Sequence, residues 1–149
     1  MKLYLVRHGR AVHPMLDPTE PLSEEGRREV RTLAARLLAA AAAPAWIAHS
    51  PRARAVETAR ILGEVLAPGV SPVVREDLLP HGAPDDLVAE LAREERDALL
   101  VAHMPLLGDL VRGLLGPPAK EHLFFPTAGA LCLERTSGGA FEVRWSAQP

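Results

Sequence analysis

An arginine, a histidine and a glycine stand together at Arg7-His8-Gly9, directly after the apolar run LYLV. Two more arginines, Arg52 and Arg54, follow Ser50-Pro51, and a further histidine, His103, closes the apolar run ALLVA. The planar fork of arginine suits an oxyanion that takes several hydrogen bonds at once, and phosphate fills more donors than carboxylate does. Nearby positive charge disfavours a protonated imidazole, so His8 is expected to be neutral with one ring nitrogen free. A neutral imidazole facing a cation-bound phosphoryl group is a nucleophile in place. Gly9 would let the backbone turn close to such a ligand with no side chain in the way.

Residues so far apart meet only if the fold carries them together. Residues 2–6 read as a short buried strand. The pattern turns helical from 21 to 43, with Ser23 as N-cap, Glu24 and Glu25 at the positive helix end, and an alanine run closed by Pro44. Residues 45–49 form a second strand. Ser50-Pro51 reads as a helix start, serine capping and proline in the first helical position, with RARAVETARILGEVL as the helix. A weak third strand at 71–76, an amphipathic helix at 84–96, a buried strand at 97–103 and a helix from Pro105 follow. GALCLER and AFEVRW, separated by Ser137-Gly138-Gly139, form a terminal hairpin. Strand alternating with helix predicts an α/β fold: a three-layer α/β/α sandwich whose mostly parallel sheet ends in a C-terminal antiparallel hairpin, as one domain over residues 1–149.

In open α/β sheets, ligands bind beyond the carboxyl ends of the strands. Those ends are Arg7-His8, then His49-Ser50 leading to Arg52 and Arg54, then the DLLPHG loop, then His103. Arg54 falls in the first turn of its helix, and Met104 is a poor cap that leaves backbone N–H groups beside His103. Cations gather on one rim with no matching acidic run, and an anion is the natural guest.

Composition excludes several other classes. A formal net charge of -2 over 149 residues supplies no basic field for nucleic acid. No apolar run of about 18 residues and no signal-like start argue against a membrane, and the cytoplasm is the expected compartment. Cys132 is the only cysteine and reads as a core thiol, which leaves neither a disulfide nor zinc-finger spacing. His13, His49 and His122 match no ligand spacing, so no metal is expected. Phe124 and Phe125 are expected in the core, with cover for the pocket mouth as the alternative, and Arg52 is expected in solvent. Lys2 and Lys120 are the only lysines and asparagine is absent, which fits a thermophile and equally a biased genome.

Arg7-His8-Gly9 after the first strand, SPRARAVETA with the spacing S-P-x-x-R-A-x-x-T-A, and VAHMPLLGDLV, in that order and each at a strand end, resemble the histidine phosphatase superfamily, also called phosphoglycerate mutase-like. The resemblance covers nearly the whole chain. Within that superfamily the chain is most similar to the small SixA-type phosphohistidine phosphatases, through its size, RHGRA where the pattern is R-H-G-x-A, DLLPHG, AHMPLLG and FFPTAGALCLE. Mutase-like branches read R-H-G-x-T with an asparagine soon after, whereas Ala11 stands here and asparagine is absent.

The resemblance implies a phosphoglycerate mutase-like fold and a hydrolase. His8 would attack phosphorus and become a transient phosphohistidine, while Arg7, Arg54 and His103 hold the phosphoryl oxygens, with no metal or other cofactor. Water would then release inorganic phosphate. The implied partner is a phosphorylated substrate, a phosphohistidine-bearing protein in the SixA-like case. The carboxylate that many relatives use as general acid has no obvious counterpart, and Asp77 and His81 are the local candidates. Arg10 replaces an acidic or amide residue and is a candidate contact for an acidic part of the substrate. A phosphatase of small phosphate esters, from sugar phosphates to nucleotide-pathway metabolites, is the alternative enzyme. A non-catalytic module binding phosphorylated ligands on the same fold is the alternative outside enzymes.

Overall fold

Three apolar runs become the central parallel strands of one sheet: β1 (Lys2–Arg7), β2 (Trp46–His49) and β4 (Ala98–Ala102). The computed structural model describes residues 1–149. With β3 (Val73–Val74), β5 (Ala130–Arg135) and β6 (Phe141–Ala147), the strand order is β3-β2-β4-β1-β5-β6. Pairings among β1 to β4 are parallel, and β5 and β6 join antiparallel at the other side. All of β4 is inaccessible to solvent, as a parallel strand covered on both faces must be.

Helices cover both faces. Tyr4, Val6, Ile47, Leu99 and Val101 pack beneath α1 (Glu24–Ala39) and α2 (Ala53–Leu66). Leu3, Leu5, Ala48, Leu100 and Ala102 pack beneath α3 (Pro84–Leu91) and α4 (Leu106–Leu115). Strict alternation along each strand therefore divides the two cores, giving the expected three-layer sandwich. No helix is long and apolar enough to cross a membrane.

Several boundaries differ from the sequence reading, each for a local reason. Helix α1 stops four residues early because Ala41 adopts a left-handed φ of 58° while Ala42 N–H bonds Leu37 O and Ala41 N–H bonds Leu38 O. That is a Schellman closure, with Ala42 buried beside Leu37 as its apolar contact. Helix α3 ends at Leu91 and not 96; beyond it the Glu94 carboxylate accepts from the N–H groups of Glu95 and Arg96. The weak third strand shrinks to two exposed valines on the sheet edge. Helix α2 begins at Ala53, with Arg52 at the N-cap position, so Ser50 is not its cap. Phe125 is a core residue, but Phe124 is 75% exposed, contrary to its expected burial.

The loop after β1 is pressed onto α1 by two glycines. A Cβ on Gly9 would lie 2.6 Å from Val30 Cγ2, and one on Gly26 would lie 2.0 Å from the carbonyl oxygen of Arg10. Ser23 completes the junction: its Oγ accepts from Gly26 N–H at 3.0 Å, and its N–H donates to Arg10 O. Gly9 thus serves the packing of this loop, and not merely a close approach to a ligand. Alanine favours a helix interior over glycine by about 1 kcal/mol. Gly26→Ala should nevertheless lose about 1–3 kcal/mol, because the atom it strikes is backbone. Urea unfolding checks the sign, and a stabilised variant would refute this packing.

Candidate active site

Register and alternation bring the two central histidines together. Arg7 pairs with Ala102 across the parallel β1 and β4, so His8 and His103 each stand one residue past the paired ends. Val6 and Val101 face the α1–α2 layer, and two residues later the imidazoles emerge on the same side. Their ring centroids are 4.9 Å apart, inclined at 54°. Arg7 leaves the strand on the opposite face, where Nη1 donates to Phe125 O at 2.7 Å.

His8 Nδ1 lies 2.7 Å from Gly9 O. A carbonyl only accepts, so Nδ1 carries the proton and Nε2 keeps its lone pair. His8 is 8% exposed. Burial drives its pKa down to about 4; Arg54 and Arg7 add to the fall, and the bond to Gly9 opposes it. Neutrality was expected from the neighbouring cations, but removal from water is the larger cause.

His103 is almost fully buried, and its Nε2 stands 2.6 Å from Ser50 Oγ. Ser50 Oγ also accepts the Arg52 N–H at 3.2 Å. A hydroxyl can give its proton to His103 Nε2 while accepting the Arg52 N–H, an arrangement that puts the imidazole proton on Nδ1. Burial, then His8, Arg54, Arg52 and Arg7, push the His103 pKa down to about 3. His103 Nδ1 and Arg7 Nε are both buried without a hydrogen-bond partner. Each such orphan costs about 1–3 kcal/mol, and two beside a free imidazole lone pair mark a place for an acceptor-rich ligand.

Arg54, second residue of α2, lies close enough to depress both imidazoles and enters no ion pair. Arg7, His8, Arg54 and His103 are thus brought together. The remaining candidates bond other partners or face solvent. Arg10 turns to α1, pairing with Glu25 at 3.0 Å and Glu29 at 3.4 Å. Both oxygens of Asp77 accept from Arg75, at 3.0 and 2.6 Å, and Arg75 also holds Glu90 on α3. His81 is exposed on the following turn, which the Gly82 N–H to Leu79 O bond closes. No group of three or more His, Cys, Asp or Glu side chains is arranged to hold a metal ion.

Two further residues, Ser50 and Thr58, escaped the sequence reading as parts of this site. Ser50 looked like a helix cap, and only the offset start of α2 frees its hydroxyl for His103. Thr58, fully buried, accepts the Gly9 N–H at 3.0 Å and donates to Arg54 O at 2.7 Å. Its place in the SPRARAVETA run was the one signal available. Exposed Phe124 lies over the Arg7 guanidinium, with the ring centroid 6.0 Å from Cζ.

A model of the histidine phosphatase superfamily (branch 1) matches residues 3–79. An uncharacterized protein of Picosynechococcus is 33% identical over 147 residues, 94% of this chain and 87% of that protein. The solved structure of the protein histidine phosphatase SixA complexed with tungstate is 27% identical with a TM-score of 0.87, over 99% of this chain and 97% of that one. Phosphoserine phosphatase of Entamoeba histolytica in complex with 3-phosphoglyceric acid has the same fold at a TM-score of 0.75 and 16% identity, over 99% of this chain and 97% of that one.

The buried imidazoles set an acid limit. Both ordinary pKa values are 6.5, and both folded values lie well below. As pH falls below 6.5 the unfolded chain takes up protons that the folded one refuses, so stability is complete above about 6.5 and is lost toward pH 4. Histidine NMR titration should show His8 and His103 still neutral at pH 5.5, together with a lower unfolding midpoint at pH 4.5 than at pH 7. A protonation midpoint of 6.5 or higher for His8 would contradict its burial.

Proposed function

The chain belongs to the histidine phosphatase superfamily, and on that premise we propose that it hydrolyses phosphoryl groups through a phosphohistidine intermediate on His8, with phosphohistidine borne by a protein as substrate. One observation carries the reading: a free His8 Nε2 lone pair on the strand-end rim that also holds two buried nitrogens without a partner, Arg7 Nε and His103 Nδ1. The likeness to SixA complexed with tungstate, a tetrahedral oxyanion, supports an oxyanion as the ligand.

The substrate phosphoryl group is held by Arg7, Arg54 and His103. His8 Nε2 attacks phosphorus as the bond to the leaving group breaks, and the imidazole becomes phosphorylated on Nε2 while Nδ1 stays bonded to Gly9 O. Arg7 and Arg54 meet the charge that develops on the equatorial oxygens in a site largely shut from water. Water then attacks phosphorus, the P–N bond to His8 breaks, inorganic phosphate leaves, and the imidazole returns neutral. The positive field comes from guanidinium groups, so no step calls on a metal.

The leaving group decides between substrates. An alkyl ester leaves as a strongly basic alkoxide and needs a proton donor. Asp77, the carboxylate candidate, has both oxygens engaged by Arg75 and makes no hydrogen bond to His8 or His103. Phosphohistidine protonated on its other ring nitrogen departs as a neutral imidazole, the P–N electrons staying on the nitrogen that leaves, and needs no such donor. This favours phosphohistidine over sugar or nucleotide-pathway esters.

Hydrolysis of a phosphohistidine-bearing protein should fall by about 10⁴-fold or more in His8→Ala, and by about 10²–10³-fold in Arg54→Ala. Equal turnover by wild type and His8→Ala would sink the nucleophile. A metabolite ester turned over with higher kcat/KM than phosphohistidine would transfer the protein to the small-ester phosphatases. Phosphorylated ligands bound without turnover would make it a binding module.

A further inference from the structure

The Thr58 hydroxyl makes two hydrogen bonds that none of the steps above uses. It donates to Arg54 O, four residues back in α2, at 2.7 Å. It accepts from the Gly9 N–H at 3.0 Å. The directions follow from the partners, since a carbonyl can only accept and an amide N–H only donate. Helical threonine readily bonds back to the i−4 carbonyl, which leaves its lone pairs free for one outside donor.

Gly9 is the residue whose N–H takes this acceptor. Its carbonyl takes the Nδ1–H of His8 and so decides which imidazole nitrogen keeps a lone pair. It cannot carry a Cβ, because Val30 Cγ2 would lie 2.6 Å away. Yet glycine is the most freely turning residue in a backbone, the least suited to hold a carbonyl in one direction. The missing restraint has to come from outside the loop. Thr58, rigid in a helix and fully buried, is the side chain that bonds the Gly9 amide.

We infer that Thr58 is a positioning residue for the nucleophile: by pinning the Gly9 amide to α2 it holds the Gly9 carbonyl against His8 Nδ1 and keeps the lone pair on Nε2. The same hydroxyl bonds the turn that carries Arg54, so the nucleophile loop and the arginine share one anchor. This rests on His8 being the nucleophile, and its test includes a readout independent of activity.

Thr58→Val keeps the branched shape and removes the hydroxyl, and Thr58→Ser keeps the hydroxyl. In Thr58→Val, kcat should fall by about 10–100-fold with KM changed by less than about threefold, as misdirected reacting groups cost. Thr58→Ser should stay within about threefold of wild type. Long-range ¹H–¹⁵N spectra should show His8 as the pure Nδ1–H tautomer in wild type and Thr58→Ser, and as a tautomer mixture in Thr58→Val. Wild-type kcat and a single tautomer in Thr58→Val would overturn the inference, as would equal losses in both variants. If Thr58→Val does not fold, the wild-type Gly9 amide decides: hydrogen exchange as slow as that of β1 supports the anchor, and fast exchange overturns it. Full activity in His8→Ala would remove the nucleophile alone, because the tautomer spectra report on Thr58 whatever the activity.

Discussion

Two imidazoles are held out of water at the carboxyl edge of the sheet beside the half-buried Arg7, and one imidazole nitrogen and the Arg7 Nε are buried without a partner. That arrangement is unfavourable by itself, and the rest of the structure exists in relation to it. Burial keeps both imidazoles neutral, so they sit 4.9 Å apart without the repulsion of two cations. An apolar sheet whose central strands are buried, clamped between helices on each face, supplies the stability that the edge withholds. Neutrality and the orphaned donors are two results of one cause, the exclusion of water from the strand ends.

The supports around the cluster are mostly backbone and hydroxyl groups. His8 is oriented by the Gly9 carbonyl, Arg7 by the Phe125 carbonyl and His103 by Ser50. Carboxylates are kept elsewhere: Arg10, Arg27, Arg60, Arg75, Arg96, Arg112, Arg135 and Arg144 all have acidic partners. Exposed pairs of this kind contribute about 0–1 kcal/mol each. Their greater consequence is that Arg7 and Arg54 remain without a counter-ion, and the positive charge at the rim is unspent. On the proposed reading, a phosphoryl group is the missing counter-ion.

Sequence reasoning read the layered fold because buried parallel strands are short, apolar and easily seen, and LYLV and ALLVA need no tertiary information. It read the rim because a strand's end is where its last apolar residue stands, which located Arg7, His8 and His103. It could not read partners. Arg10 stands next to Gly9 in sequence, yet the helix lying over this loop offers it Glu25 and Glu29. Asp77 was visible as a carboxylate in a rim loop, but its capture by Arg75 depends on the side chain's final direction. The alanine run at 39–43 looked helical because alanine is the best helix former, and the left-handed turn at Ala41 is imposed by burying Ala42. Ser50 was misread because a serine before a proline so often caps a helix, and here the helix waits until Ala53. In each case the local signal was sound and a tertiary contact outweighed it.

A crystal structure of the protein soaked with vanadate reaches the central claim most directly, because vanadate forms a five-coordinate mimic of phosphoryl transfer. If His8 attacks phosphorus, vanadium will be bonded to His8 Nε2, with its oxygens taking hydrogen bonds from Arg7 Nε, Arg54 and His103 Nδ1. Vanadate bound away from His8, or the His8 Nε2 lone pair turned from the anion with Arg7 Nε and His103 Nδ1 still unpaired, would contradict it.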